Sequence, residues 1–224
     1  MTMQTTDAPG HAPQRSDARA NRQRILAIAR RKLRDDPDAS LDSIAVAAGL
    51  ARRTFYGHFS NRHALITELA QEAAQALRQA FAVTRVPGAD PLEALARMAL
   101  AAWAVGDQYR MLISLGRRHV GGETIGATLA PARQEAIAAI RRGQHEGVLA
   151  NHLPAPVFAH ALEALMLALA EENTTSTWAD PTGEAAATAF LVAAGAAPQT
   201  ASRRVRAVLR DQVVSVQQPD AAMT

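Results

Sequence analysis

The sequence predicts an all-α protein, with an N-terminal three-helix unit containing a helix-turn-helix and a C-terminal helical bundle. Three observations carry this expectation. Hydrophobic residues fill 48% of the 224 positions but aromatics only 4%, so the apolar stock is mostly Ala, Leu, Val and Ile; Ala and Leu lead the helix-propensity ranking. Apolar positions recur at three- and four-residue spacing, with no strand-like alternation and no internal repeat. One segment, GLARRTFYGHFSNRHAL from Gly49 to Leu65, crowds Phe55, Tyr56, Phe59, Arg52, Arg53, Arg62, His58 and His63 into one span directly after a glycine.

The elements follow in order. The first sixteen residues are polar with Pro and Gly, which reads as a disordered arm (1–16). A first helix starts near Asp17, with Ile25, Leu26, Ala29 and Leu33 at helical spacing and most arginines opposite; Asp35, Asp36 and Pro37 end it. Ser40 is a suitable N-cap for a second helix with the stripe Leu41, Ile44, Ala45 and Ala48. Gly49 stops that helix, as a C′ residue with positive φ does. A short third helix covers Arg52 to His58, and a fourth runs from about Asn61 to Thr84. Asp90-Pro91-Leu92-Glu93 combines an acidic cap, Pro at N1 and Glu at N3, so a fifth helix starts there. A sixth spans Gln108 to Val120, GGETIGATLAP breaks it, and a seventh runs to about Gly147. A nearly all-apolar helix from about Ala155 to Asn173, a loop TTSTWADPTG, a small-residue helix from Glu184 and a last helix around Arg203 to Val214 complete the chain. The resulting division is 1–16, 17–66, 67–197 and 198–224.

Composition excludes several classes. There is no cysteine, which rules out a disulfide framework, cysteine zinc sites and a cysteine nucleophile, and fits a reducing cytosol. The first twenty residues carry no apolar signal region. The longest apolar run, VFAHALEALMLALA, is too short to cross a bilayer and contains His160 and Glu163. A soluble, cytoplasmic protein without a membrane partner is expected. Residues 1–65 hold 11 Lys+Arg against 6 Asp+Glu, a net of +5, within a chain of net +3. The remainder is therefore slightly acidic, and an anionic partner at the N-terminal end follows.

Two short helices joined by a glycine turn, after a longer helix, form a helix-turn-helix. Ala45 is small enough for the second and third helices to approach. Leu50, Phe55 and Phe59 face inward. Arg52, Arg53, Thr54, Tyr56, Gly57 and His58 then occupy the outward side, and Gly57 keeps that helix low against a groove. Arginine binds guanine O6 and N7 bidentately, while Thr, Tyr and His reach phosphates or thymine methyls. Either Arg52 or Arg53 suits a base. Arg62, beside a helix N-terminus, suits a phosphate. Tyr56 has two readings, phosphate contact or half-buried core aromatic, and His58 is either near DNA or simply solvated.

The segment LDSIAVAAGLARRTFYGHFSNRHAL resembles the DNA-binding segment of the TetR family of transcriptional regulators. The resemblance rests on Ile44, Ala45, Ala48, Gly49, Leu50, Arg52, Arg53, Thr54, Phe55, Tyr56, Phe59 and Leu65. Two departures stand out. In Ser60-Asn61-Arg62-His63 the acid that closes the capping box is replaced by His63. Leu41 stands where the family often has Thr or Ser, leaving Ser40 or Ser43 to supply that hydroxyl. The resemblance implies a homodimer that reads a palindromic stretch of double-stranded DNA, with a small-molecule pocket and dimer interface in the C-terminal domain. A repressor released by a small apolar effector is the corresponding expectation.

By residue type and region, Met98, Trp103, Met111, His119, Met166, Leu167, Trp178 and Phe190 are pocket candidates; Met and aromatic residues at such spacing also serve as ordinary core. The Ala-rich helices from Ala155 and Glu184 suit a four-helix dimer bundle, or burial within one subunit. Other chemistry is thin. GGETIG lacks the Lys-Ser/Thr of a phosphate loop. His145, His152 and His160 lack metal-ligand spacing. No nucleophile–base constellation is readable, so neither enzyme activity nor a cofactor or metal is expected. The rival reading is a helical small-molecule binding protein whose helix-turn-helix only packs.

Overall fold

The computed structural model describes residues 12–112, 115–116, 122–173 and 178–217, and these residues hold nine α-helices and no strand. They are α1 (Ala12–Asp35), α2 (Leu41–Ala47), α3 (Arg52–His58), α4 (Arg62–Thr84), α5 (Pro91–Tyr109), α6 (Gly122–His145), α7 (Ala155–Glu172), α8 (Glu184–Ala193) and α9 (Pro198–Gln217). The chain divides into two compact units, with the boundary inside α4 between Leu69 and Ala70.

The first unit is built on apolar side chains from all four of its helices. Ile25 and Leu33 of α1, Ile44 of α2, Phe55 of α3, Phe59 just after it, and Leu65, Ile66 and Leu69 of α4 are fully buried. α1 begins at Ala12 rather than near Asp17. The apolar period cannot register a helix start whose sequence, APQRS, carries no apolar stripe, and Pro13 falls in the first turn, where its missing N–H costs nothing. The cap of α4 also differs from the expectation. The Asn61 side-chain oxygen accepts from the Ala64 backbone N–H at 2.8 Å. The cap is therefore Asn61, not Ser60, and the N3 position is Ala64 rather than His63.

The second unit is organised around α5, which packs against α6, α7, α8 and α9. Leu95, Ala96, Ala99 and Trp103 of α5 meet Ile140 of α6, Phe158 and Leu162 of α7, Ala187 and Leu191 of α8, and Val205 of α9 in one core. Asp90 caps α5 as expected, its carboxylate accepting from Glu93 N–H at 2.9 Å, with Pro91 as the first helical residue.

Three helix boundaries in this unit differ from those expected. From Gly122 onward GGETIGATLAP is helical: α6 starts within it and continues past Pro131. An interior proline loses one backbone hydrogen bond. Burial of Ala132, Ile137, Ala139 and Ile140 and the two-pronged bond from Arg133 to Glu163 of α7, at 2.6 and 2.9 Å, hold the helix beyond Pro131. The same bond raises the Arg133 pKa above its ordinary value. α9 starts at Pro198 rather than Arg203, because proline is tolerated as the first helical residue and Ala201 is already buried. α5 itself extends to Tyr109, and Met111, Leu112 and Leu115 are buried beyond it. Part of the helix expected over Gln108 to Val120, including His119, lies outside the described residues.

Candidate nucleic-acid interface

The turn between α2 and α3 is a Schellman motif. Gly49 donates to Val46 O at 3.0 Å and Leu50 to Ala45 O at 3.0 Å, with Gly49 at φ +67°. Ala45 and Ala48 are buried beneath it. Phe55 and Phe59 are one turn apart, both fully buried, with ring centroids 6.0 Å apart. With that side of α3 inward, Arg52, Arg53, Thr54, Tyr56 and Gly57 are exposed and His58 is half-buried. Tyr56 is 41% exposed, so it is not a core aromatic. A Cβ built on Gly57 meets nothing within 4 Å, which makes it a low point of the outward surface.

The two neighbouring arginines are not equivalent. Arg52 forms an ion pair with Asp42 of α2, and the Tyr56 hydroxyl donates to the other oxygen of the same carboxylate at 3.4 Å. Arg53 is exposed and enters no described ion pair. Asp42 escaped the sequence reading because an acid within a basic segment was counted only as net charge. Its position one helix away from Arg52 and Tyr56 is a tertiary fact.

The serines at the start of α2 are partly committed. Ser40 Oγ accepts from Ser43 N–H at 3.1 Å, and Ser43 Oγ donates to Ser40 O at 2.8 Å. Ser40 keeps its hydroxyl proton for an anion, whereas Ser43 has donated its own. Arg62 donates to Ala39 O at 2.5 Å and to Pro37 O, so it ties the α1–α2 connection to the start of α4. Its remaining N–H groups are the ones left for a phosphate.

Two further arginines hold the unit together. Arg22 binds both oxygens of Glu68, donates to His58 O at 2.8 Å and lies 4.5 Å from the Phe59 ring centroid. Arg24 donates to Ala48 O at 3.1 Å, at the end of α2. The sequence counted these residues as part of a basic face; in the structure they position α2 and α3.

In the second unit the pocket candidates lie apart from one another in role. Trp103, Met166 and Phe190 are buried in the main core, with Met98 and Trp178 packed against it. Trp103 Nε1 donates to Asp180 O at 2.8 Å, and its ring meets Trp178 edge-on at 5.6 Å. Asp180, buried, accepts from Ala186 N–H at 2.9 Å and so fixes the start of α8. Met111 is buried and Leu167 half-buried. A groove of about 440 Å³ opens elsewhere in this unit, lined by Gln79, Val83, Leu100, Val105, Gln108 and Gln212 among others, and by none of those candidates. Its lining is mostly apolar with three amides, and it is broadly open to solvent.

On α7, Val157, Ala161, Ala164 and Ala168 form an exposed small apolar stripe, and on α8 Ala185, Ala189 and Val192 do the same. The nearly all-apolar α7 is thus buried on one side only. Among the described residues no three His, Cys, Asp or Glu side chains cluster for a metal, and no helix is long and apolar enough to cross a membrane.

No family model matches the sequence, and no curated protein matches it. Solved structures do match across most of the chain. The TetR-family transcriptional regulator PfmR from Thermus thermophilus is 21% identical with TM-score 0.62, covering 77% of this chain and 98% of that one. The TetR-like regulator LfrR from Mycobacterium smegmatis, solved with proflavine, is 20% identical with TM-score 0.63, covering 79% and 97%. RolR in complex with resorcinol is 17% identical with TM-score 0.57, covering 85% and 95%. The all-helical architecture, with its helix-turn-helix preceding a larger helical unit, is the fold of the TetR family of transcriptional regulators.

Proposed function

We propose that this protein is a homodimeric, DNA-binding transcriptional regulator: a cytoplasmic repressor released from a palindromic operator by a small apolar ligand. The observation that carries the reading is the division of α3 into two faces. Phe55 is buried while Arg52, Arg53, Thr54 and Tyr56 are exposed, so the helix spends its apolar residues on the core and presents donors outward. Such a face suits the major groove. Arg53 is the favoured guanine reader because no carboxylate competes for it. Ser40, Thr54, Tyr56 and His58 serve phosphates or thymine methyls, and Gly57 permits close approach. Ser43 and Arg62 act mainly by holding the frame.

The exposed stripes on α7 and α8 support a dimer through these two helices, since Ala faces permit close helix packing. A dimer would present two reading heads to half-sites about 34–36 Å apart, or a multiple of that spacing. The effector belongs to the second unit, where the groove beside Leu100 and Val105 supports an apolar guest. LfrR with proflavine and RolR with resorcinol are structural neighbours solved with small molecules bound.

The direct test is binding of a fluorescent mixed-sequence duplex as salt is varied. The reading expects log K to fall linearly with log salt, reflecting release of counterions by the basic face. A folded protein that binds no duplex at about 50 mM salt would leave the helix-turn-helix as a packing unit only. The effector model adds reciprocity: whatever ligand lowers operator affinity must itself bind more weakly to the operator complex, by the same factor.

A further inference from the structure

The Asp42 carboxylate is shared between the Arg52 guanidinium and the Tyr56 hydroxyl, across from α2 to α3. All three side chains sit on the outward side: Arg52 is 73% exposed and Asp42 37%. An ion pair this exposed adds little to folding stability. What it changes is the charge that the surface offers to DNA. Arg52 and Asp42 together contribute nothing to net charge, so of the adjacent arginines only Arg53 meets an approaching duplex as an unpaired cation.

We infer that Asp42 is a specificity-determining residue, which withholds Arg52 from indiscriminate phosphate contact and yields it only to a matched site. This rests on the DNA-binding reading above. The physical basis is competition. A lone phosphate offers Arg52 about what Asp42 already supplies, so exchanging one for the other gains little and also leaves Asp42 unpaired next to a polyanion. A guanine edge offers two acceptors, O6 and N7, in the plane of the guanidinium. It can replace the carboxylate with a bidentate bond and can leave Asp42 with Tyr56. At a sequence that lacks such an edge the Arg52–Asp42 pair stays closed, so Arg52 adds no attraction there, and the matched site is favoured by difference.

The test compares the full-length protein with Asp42→Asn and Asp42→Glu on two duplexes. One is the sequence selected by the unaltered protein from a random pool, and the other is a scrambled duplex of the same composition. Asn keeps the size and removes the charge. Expected for Asp42→Asn is a rise of about 3–10-fold in affinity for scrambled DNA, with a salt slope steeper by about 0.9 per released arginine. Affinity for the selected duplex changes less than twofold, so the specificity ratio falls. Asp42→Glu restores the ratio at least in part. Equal changes on both duplexes, or an unchanged salt slope, overturn the inference while leaving DNA binding intact. Absence of binding by the unaltered protein to either duplex overturns the regulator reading and this inference with it. Thermal unfolding of each variant checks that the fold persists; a drop in stability that accounts for the binding change also counts against it.

Discussion

Arg22 grips Glu68 with both prongs of its guanidinium, and the same group lies 4.5 Å from the Phe59 centroid. One side chain of α1 thus touches α4, the residue after α3, and the last carbonyl of α3 at His58. The orientation of the outward face depends on this arginine as much as on the buried phenylalanines.

Replacing Arg22 by Ala removes these charge-assisted bonds and the ring contact. Because the Arg22 side chain is 41% exposed, the expected loss is about 1–2 kcal/mol rather than the larger value of a buried pair. Denaturant unfolding checks it. Arg22→Lys should not rescue, since an ammonium cannot bind the carboxylate with two parallel bonds.

Gly49 provides a cleaner case of backbone conformation. A Cβ there meets only the Arg24 terminal nitrogen at 3.6 Å, an ordinary contact, so substitution is opposed by φ +67° rather than by crowding. Gly49→Ala is expected to cost about 1 kcal/mol and Gly49→Val, being β-branched, about 2–3 kcal/mol. The valine variant should lose the first unit's cooperative unfolding transition, visible by calorimetry. Gly49→Asn should be the mildest change.

Gly183 contrasts with it. Its φ is +75°, and a Cβ would lie 2.6 Å from the Trp103 ring, which is pinned by its bond to Asp180 O. Strain and overlap add. Gly183→Ala is expected to destabilise the second unit by about 3 kcal/mol or more, read as a lowered midpoint in denaturant.

Arg53 and Arg62 separate base reading from framework. Arg53→Ala should cost about 1–3 kcal/mol on the selected site and relax preference at one base pair, with unchanged folding stability. Arg62→Ala should weaken all duplexes alike and also lower stability, because Pro37 and Ala39 lose their donor. Competition assays over single-base variants distinguish the two patterns.

The exposed stripe of α7 gives a prediction for assembly. Ala164→Arg places a charge in its middle, where Ala161 and Ala168 flank it. Light scattering should show a monomer for this variant and a dimer for the unaltered chain, with DNA affinity lost alongside.

The first unit was largely legible in sequence because its signals are local. Ser40 caps, Gly49 turns, and Phe55 and Phe59 lie one turn apart; each is decided within a few residues. The misreadings there were also local, as in the cap at Asn61, where two adjacent polar residues compete for one role. The second unit was less legible. Pro131 reads as a break until the burial of Ile137 and Ile140 and the grip of Arg133 on Glu163 are known. Trp103 and Phe190 suit pocket and core equally by residue type, and their burial among α5, α7 and α8 depends on packing that no local pattern carries. Asp42 was invisible as a partner of Arg52 and Tyr56 because its meaning depends on how α2 and α3 are folded together.

The most direct measurement is selection of duplexes from a random pool by the purified protein at near-physiological salt. The account predicts recovery of a palindrome whose half-sites lie about one helical turn apart or a multiple of it, with guanine at a fixed position in each half. No enrichment by folded protein would contradict the regulator reading, and recovery of non-palindromic sequences would contradict the dimer.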